Sequence, residues 1–454
     1  MFDSPLVRKG LIPALIFSIF APNCLRAQPI GSDSGPRSNQ ENSPYSRYGI
    51  GNLSSPYNAT LRGMAGAATA NTSGLNVNSF NPASYSFLTA ATLDFAFEAK
   101  QRSVFLGNKK ISSGTGNFAY FNLGMHAGKH FGLNIGFKPI AYTYYNANDT
   151  LYNVQSMGDA LINHNGSGSL QYAFIGLSGR YKGLSLGANF GYAFGSYNYA
   201  NSLQATTSDS AGTTYNVRSA QLTHSDRIGG IYWEGGLLYH AKLKKEKYFN
   251  IGLTTTISQK LNLNRQALDL SYDYLSDSSS STTDLVIDTV INNERKGKLT
   301  MPAKYSFGLA FGKNTNYEIA ADFSYTDWSL FDKMGDREGV GDNSYRAAIG
   351  GEYTPNAATP GKKYLSYVTY RLGAYYGKDY FRLFNTDVNY FGGTIGASLP
   401  LQRNYNNFGK INLSLEVGKR GSITNGLAKE VYVNFTFGLS LNDTYWLKRP
   451  ARYQ

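Results

Sequence analysis

The sequence predicts an all-β protein: a transmembrane antiparallel β-barrel of about fourteen strands, with its lumen plugged by an N-terminal segment. Three observations predict it. Charged residues make up only 16% of the 454, against ~25% in ordinary soluble domains, while the chain holds 49 glycines, 36 tyrosines and 26 phenylalanines. Mean hydropathy is −0.34, and the one apolar run, at residues 10–22, falls short of the ~20 residues a membrane-crossing helix needs. From Thr92 onward, apolar residues alternate with small or polar ones in segments divided by turn signals, which is how a barrel strand reads. With 42% hydrophobic residues in that pattern, disorder throughout is excluded.

The N-terminus has the build of an export signal. Arg8 and Lys9 precede an apolar stretch at residues 11–20, and Leu25-Arg26-Ala27 resembles a small-residue cleavage site. Residues 1–27 are therefore expected to be a cleaved signal peptide, which places the mature chain in a Gram-negative outer membrane. The only cysteine, Cys24, lies in that segment, so the mature chain is expected to have no disulfide. The segment carries Asp3, Arg8, Lys9 and Arg26, a net +2, which lowers the formal charge of +13 to +11.

Residues 28–60 are rich in Ser, Asn, Pro and Gly without a period, and predict a flexible arm. Residues 61–90 are small-residue rich, end in Asn81-Pro82-Ala83, and read as neither strand nor long helix. The barrel is expected over 91–442 and a tail over 443–454. Period-2 segments fall at about 91–104, 116–127, 131–146, 167–181, 184–200, 228–242, 248–272, 302–313, 316–326, 343–353, 366–378, 390–399, 409–418 and 430–440. The last is the clearest. Val431, Val433, Phe435, Phe437, Leu439 and Leu441 fall on one face, and Tyr432, Asn434, Thr436, Gly438, Ser440 and Asn442 on the other. Short, often basic connections (128–130, 182–183, 243–248, 313–316) alternate with long spans (147–166, 201–227, 273–301, 327–342), as expected for a barrel with one rim of turns and one of loops. A β-sandwich does not predict that alternation.

On this phase the lumen receives Glu234, Glu318, Asp322, Arg346, Glu352, Arg371 and Glu416. A charge facing lipid at mid-depth costs ~2–4 kcal/mol, so charges belong on the inner face, where they pair in a hydrated interior. The third segment changes phase. Phe131, Leu133, Ile135 and Phe137 are apolar at odd positions; after Lys138-Pro139 the apolar set is Ile140, Tyr142 and Tyr144. One inserted residue is the mark of a β-bulge, and proline, which donates no ladder hydrogen bond, belongs at bulges. The wall is expected to be interrupted near Pro139, as a structural kink or as a lateral gate.

Catalysis finds little support. Of five histidines, His224 stands in the string His224-Ser225-Asp226 within an expected loop, but sequence neighbours point apart and do not make a triad. Asp332, Asp336, Glu338 and Asp342 lack calcium-loop spacing. No Gly-rich phosphate loop opens a helix. No metal or cofactor is expected. The positive charge forms no basic stripe, so no nucleic acid partner is expected; acidic lipid headgroups at the membrane surface fit it better.

The run Gly63-Met64-Ala65-Gly66-Ala67-Ala68-Thr69-Ala70 with Asn81-Pro82-Ala83 resembles the N-terminal hatch of the OmpP1/FadL/TodX family of outer-membrane long-chain fatty acid transporters. The opening at residues 43–49 and the ending Gly438-Leu439-Ser440-Leu441-Asn442-Asp443, followed by Trp446, Lys448 and Arg449, resemble Bacteroidota-type relatives. The resemblance implies a fourteen-stranded barrel with an N-terminal hatch. It implies passive uptake of a hydrophobic small molecule such as a long-chain fatty acid, which leaves sideways at a kink in the third strand, here Lys138-Pro139. Two departures stand out: the arm ahead of the hatch, and the chain beyond the last strand. Some relatives resemble accessory barrels of outer-membrane protein secretion or assembly complexes, which keeps a second role open: a non-transporting subunit with an outer-membrane or periplasmic protein partner.

Overall fold

The structure, a computed structural model, describes residues 41–154, 158–205, 219–275, 283–313, 316–337, 339–356, 363–403, 407–423 and 426–444. The short β1 (Asn52–Leu53) precedes the wall. Then come β2 (Ala91–Leu106), β3 (Lys109–Ala127), β4 (Phe131–Val154), β5 (Gly158–Tyr181), β6 (Leu184–Ala205) and β7 (Ser219–Lys242). Next are β8 (Lys247–Thr256), β9 (Gln259–Leu275), β10 (Thr283–Met301), β11 (Ala303–Lys313), β12 (Tyr317–Asp327) and the two-residue β13 (Asp332–Lys333). The wall ends with β14 (Asn343–Tyr353), β15 (Thr369–Leu383), β16 (Thr386–Arg403), β17 (Asn407–Arg420) and β18 (Lys429–Asp443).

All pairings between wall strands are antiparallel, and β18 pairs with β2 from Lys429↔Phe105 to Asp443↔Ala91, so the sheet closes on itself. β8 and β9 both pair with β7 and form one strand interrupted at Ile257-Ser258; β10 and β11 form another, interrupted at Pro302. With β1 and β13 off the wall, the result is a closed fourteen-stranded barrel. The alternation in β18 comes out as read: even positions from Glu430 to Asn442 are mostly buried, while Phe435, Phe437 and Leu441 are exposed on the outer face. Ile175, Phe190, Ile319, Ile349, Phe391 and Ile395 are also outward and exposed, an apolar belt suited to lipid and to an outer-membrane barrel.

Two expectations are corrected. The spans 147–166, 201–227 and 273–301 are strand over most of their length: β4 runs to Val154 and β5 starts at Gly158, β6 runs to Ala205 with β7 from Ser219, and β9 runs to Leu275 with β10 from Thr283. The hairpins rise above the lipid belt, where neither face needs an apolar stripe, so period-2 hydrophobicity disappears while the backbone ladder continues. The second concerns residues 41–60, read as the end of a flexible arm. They lie inside the barrel, with Glu41, Tyr45 and Ile50 almost fully buried. Polar composition resembles a linker, but here the polar atoms meet a polar lumen. Residues 28–40 and 445–454 lie outside the described residues.

The plug follows the same logic in close contact with the wall. A Cβ on Gly252 would run into the Thr69 carbonyl, and one on Gly187 would lie 2.5 Å from the Pro82 carbonyl group. Gly252→Val is therefore expected to destabilise the barrel by ~1–3 kcal/mol through overpacking. Urea unfolding in detergent would measure it, and an unchanged midpoint would show that the plug is not seated against β8.

Candidate functional site

The plug contacts the wall at three levels. At the lowest, Asn58 caps a helical turn at Ala59–Arg62 by accepting from Leu61 N. Asn81 caps the 3-10 turn Pro82–Phe87, with Pro82 at its start, where a missing N–H costs nothing. Asn81 also donates to Thr69 O at 2.6 Å, and its neighbour Asn78 donates to Ala68 O at 2.7 Å. Ser185 donates to Ala83 O at 2.7 Å and Tyr85 donates to Asn189 at 2.8 Å. The Asn81-Pro82-Ala83 motif thus folds the plug on itself and fastens it to β6.

The expected lumen charges span the lowest and middle levels, with Glu318, Glu352 and Arg371 within two residues of the lower ends of their strands. One oxygen of Asp322 accepts from Ala68 N and Thr69 N, both at 2.8 Å, and from Thr69 Oγ1 at 2.6 Å. Glu318 accepts from Asn71 and Tyr248, each at 2.7 Å. Arg346 donates to Ala65 O at 2.6 Å and lies over the Tyr375 ring. Arg371 pairs with Glu352 at 2.9 Å and donates to Ser398 at 2.6 Å. Glu416 accepts from Tyr375 and from Asn434. Glu234 pairs with Lys138 at 2.8 Å. The structure divides these seven between plug anchoring and wall-to-wall bonds.

The highest level is where β3 and β4 part. They pair only from Phe121↔Phe137 to Ala127↔Phe131. Just above, the register of β4 on β5 slips between Pro139 and Ala141, so Ile140 is the extra residue. Lys138 points inward and packs over the rings of Tyr172 and Phe174. The β4 edge left free by β3 is taken by the chain's own residues 42–54. Asn52 and Leu53 pair with Tyr142 and Ala141. Ser54 N donates to Ile140 O at 2.9 Å, Ser43 N to Tyr144 O at 3.1 Å, and Asn42 exchanges two bonds with Asn146. The arm behaves as an added strand across the seam.

Charges that sequence reasoning missed hold this strand in place. Arg102 bonds Glu41 and Glu430 together; Arg420 pairs with Asp379 at 2.6 Å and donates to Asn52 at 2.6 Å; Ser43 donates to Glu430 at 2.6 Å. Below them, Glu98 holds Arg62 and, at 2.7 Å, Lys100. Four acids balance four bases across this surface. A signal was available: Asp94, Glu98, Lys100 and Arg102 stand at even positions of β2, opposite Phe95 and Phe97.

Above the arm, residues 327–337 and 339–342 fold inward. Trp328 stacks on Tyr380 with ring centroids 4.1 Å apart, and Phe331, Phe381, Tyr45 and Ile50 fill the same cluster. His224 lies on β7, not in a loop, stacked on Tyr199; Asp226, on the same face, pairs with Arg265 at 2.6 Å and Lys333 at 2.9 Å. Among the described residues no three His, Cys, Asp or Glu gather as a metal site. Glu338 lies outside the described residues.

A search of curated proteins gives no match. Solved structures do match. A Pseudomonas aeruginosa FadL homologue aligns at TM-score 0.53 and 13% identity over 87% of this chain and 100% of that one. The Pseudomonas putida toluene transporter TodX aligns at 0.52 and 15% over 87% and 99%. The Ralstonia pickettii toluene transporter TbuX aligns at 0.51 and 15% over 85% and 98%. At such identity the likeness is one of fold, so the expected FadL resemblance holds for architecture. The family is another. A profile of the BamG family matches residues 36–452, the whole barrel with its plug, and the chain belongs to the BamG family.

Proposed function

We propose that this barrel acts as a plugged, non-transporting subunit of an outer-membrane protein secretion or assembly complex, with a protein partner in the membrane or periplasm. The observation that carries the reading is the filling of the lumen by the chain itself. The arm and hatch are bonded to the wall at every level, largely by buried charged and polar groups. A hydrophobic substrate needs an apolar cavity to offset its desolvation, whereas the inner wall presents Glu98, Lys100, Arg102, Glu318, Asp322 and Arg371. A shared fold does not carry its activity with it.

The test is mass spectrometry of everything that co-purifies with the full chain extracted gently from its native membrane. A stoichiometric protein partner and no single hydrophobic species is the expected result. A stoichiometric hydrophobic molecule without a partner would overturn it.

The seam favours a second reading, uptake of fatty acids or other hydrophobic small molecules, with Lys138-Pro139 as a lateral gate. Aromatic-compound channels share the fold. On that reading, Pro139→Thr combined with deletion of Ile140, which restores a regular strand, abolishes uptake. On the subunit reading the native chain and the variant alike leave uptake at the level of a strain lacking the protein.

A further inference from the structure

The outer wall is not uniformly convex. Over β4 to β8 and β11 to β12 it forms a bay of about 1170 Å³, larger than the ~300–1,000 Å³ of ordinary ligand clefts. Its lining is apolar: Leu177, Leu186, Leu253, Phe307 and Phe323 project outward and are exposed, while the small Ala188 and Gly235, paired across β6 and β7, set the floor.

The strands that form the bay turn immediately below it in a basic rim. Lys129, Lys182, Lys244, Lys245 and Lys247 stand on or beside the turns 128–130, 182–183 and 243–246, against one acid, Glu246, while Arg180 turns inward over the Phe87 ring of the plug. None of these five lysines forms an ion pair among the described residues. Lys182 and Lys245 have φ of 53° and 60°. Glycine or asparagine suits that left-handed region better, so the turns carry cations where the backbone disfavours them. Tyr181 and Tyr239, both exposed, mark the membrane–water boundary at the same level.

The heights match a phospholipid. Leu253 and Phe307 lie six residues from the strand ends Lys247 and Lys313. At ~3.3 Å per residue and ~40° tilt, that is about 15 Å above the rim, the depth of one leaflet's hydrocarbon. Short turns of bacterial barrels face the periplasm, where the leaflet is phospholipid.

We propose that this bay and its basic rim form a binding site for an anionic phospholipid of the periplasmic leaflet, acyl chains in the bay and phosphate on the lysines. Charge complementarity selects the headgroup, since each Lys or Arg near a membrane surface favours anionic lipid. Shape selects the chains. The site lies outside the lumen and serves the barrel whether it works as a subunit or as a channel.

The test is native mass spectrometry of the full chain released from vesicles of equimolar phosphatidylglycerol and phosphatidylethanolamine. The expected result is retained phosphatidylglycerol in roughly tenfold excess. Lys182→Asn, Lys244→Gln and Lys245→Asn together, with asparagine keeping the two left-handed positions, should bring the excess below about twofold. Ala188→Trp, which raises an indole from the floor of the bay, should reduce retention of both lipids. A triple variant that leaves the preference unchanged, or equal retention of the two lipids by the native chain, overturns the proposal. A photo-crosslinker at Leu237 that captures a stoichiometric protein in native membranes, rather than lipid, also overturns it and makes the bay a protein interface.

Discussion

Arg102→Met is expected to destabilise the barrel by ~3–5 kcal/mol, because it removes the one cation held between two buried carboxylates. Glu41 and Glu430 have side chains 1% and 0% exposed, and both bond Arg102. Without it, Glu430 keeps Arg420 at 3.6 Å and the Ser43 hydroxyl. Glu41 keeps the Tyr142 hydroxyl. The methionine fills the volume of the guanidinium stem, so the loss reports charge more than packing. The arm should loosen first at its start, since it contributes Glu41, the carboxylate that loses its only ion pair among the described residues. A cysteine placed at Asn42 in a Cys24→Ser background should react with maleimide at least about tenfold faster in the variant, the factor that 1.4 kcal/mol of opening supplies. Equal reactivity and an unchanged unfolding midpoint would show that this cluster does not hold the seam closed.

The second large effect is at Asp322. Its side chain receives three hydrogen bonds from Ala68 and Thr69, two of them from backbone amides at the centre of the plug. Asp322→Ala strands these donors in a place 8% exposed at the wall. At ~1–3 kcal/mol for each unsatisfied buried group, the expected loss is about 3–5 kcal/mol. Asp322→Asn keeps one acceptor oxygen and should cost about half as much. Hydrogen exchange gives the site-specific check: amide protection at Ala68 and Thr69 should fall in Asp322→Ala, while that of the paired wall amides at Ala320 and Ala348 should not. Uniform loss along the wall would mean that Asp322 supports the barrel rather than the plug.

Both predictions concern an interior that opposes two demands. A barrel that faced its own plug with apolar side chains would bury more hydrocarbon but specify the plug's position poorly. Here the plug's own backbone groups, left unpaired by its irregular course, find partners in wall side chains. The arm does the reverse at the seam: it supplies backbone and side-chain partners to a strand edge that β3 has abandoned.

How much of this was legible follows from which forces leave a local trace. The phase of β18, the slip at Pro139 and the inward placement of Asp322, Arg346 and Arg371 are each written within a few residues, because a strand facing lipid must alternate. The hairpin extensions to Val154, Ala205 and Leu275 were illegible, since water on both faces removes the pattern. Asp94, Glu98, Lys100 and Arg102 were legible in principle, as every second residue of a strand whose other face carries Phe95 and Phe97.

By itself, the sequence determined that this chain is a lipid-belted antiparallel barrel, where its wall strands run through the membrane, and which of their faces takes charge. Only the tertiary structure decided that residues 41–54 seal the seam, that Arg102 joins Glu41 to Glu430 across 389 positions of chain, and that seven strands curve into an outer bay. The physical reason is one of range. Lipid and water act on each residue wherever it stands, and so mark the sequence locally. Ion pairs, strand addition and curvature depend on which distant residues closure brings together, and no local pattern records that.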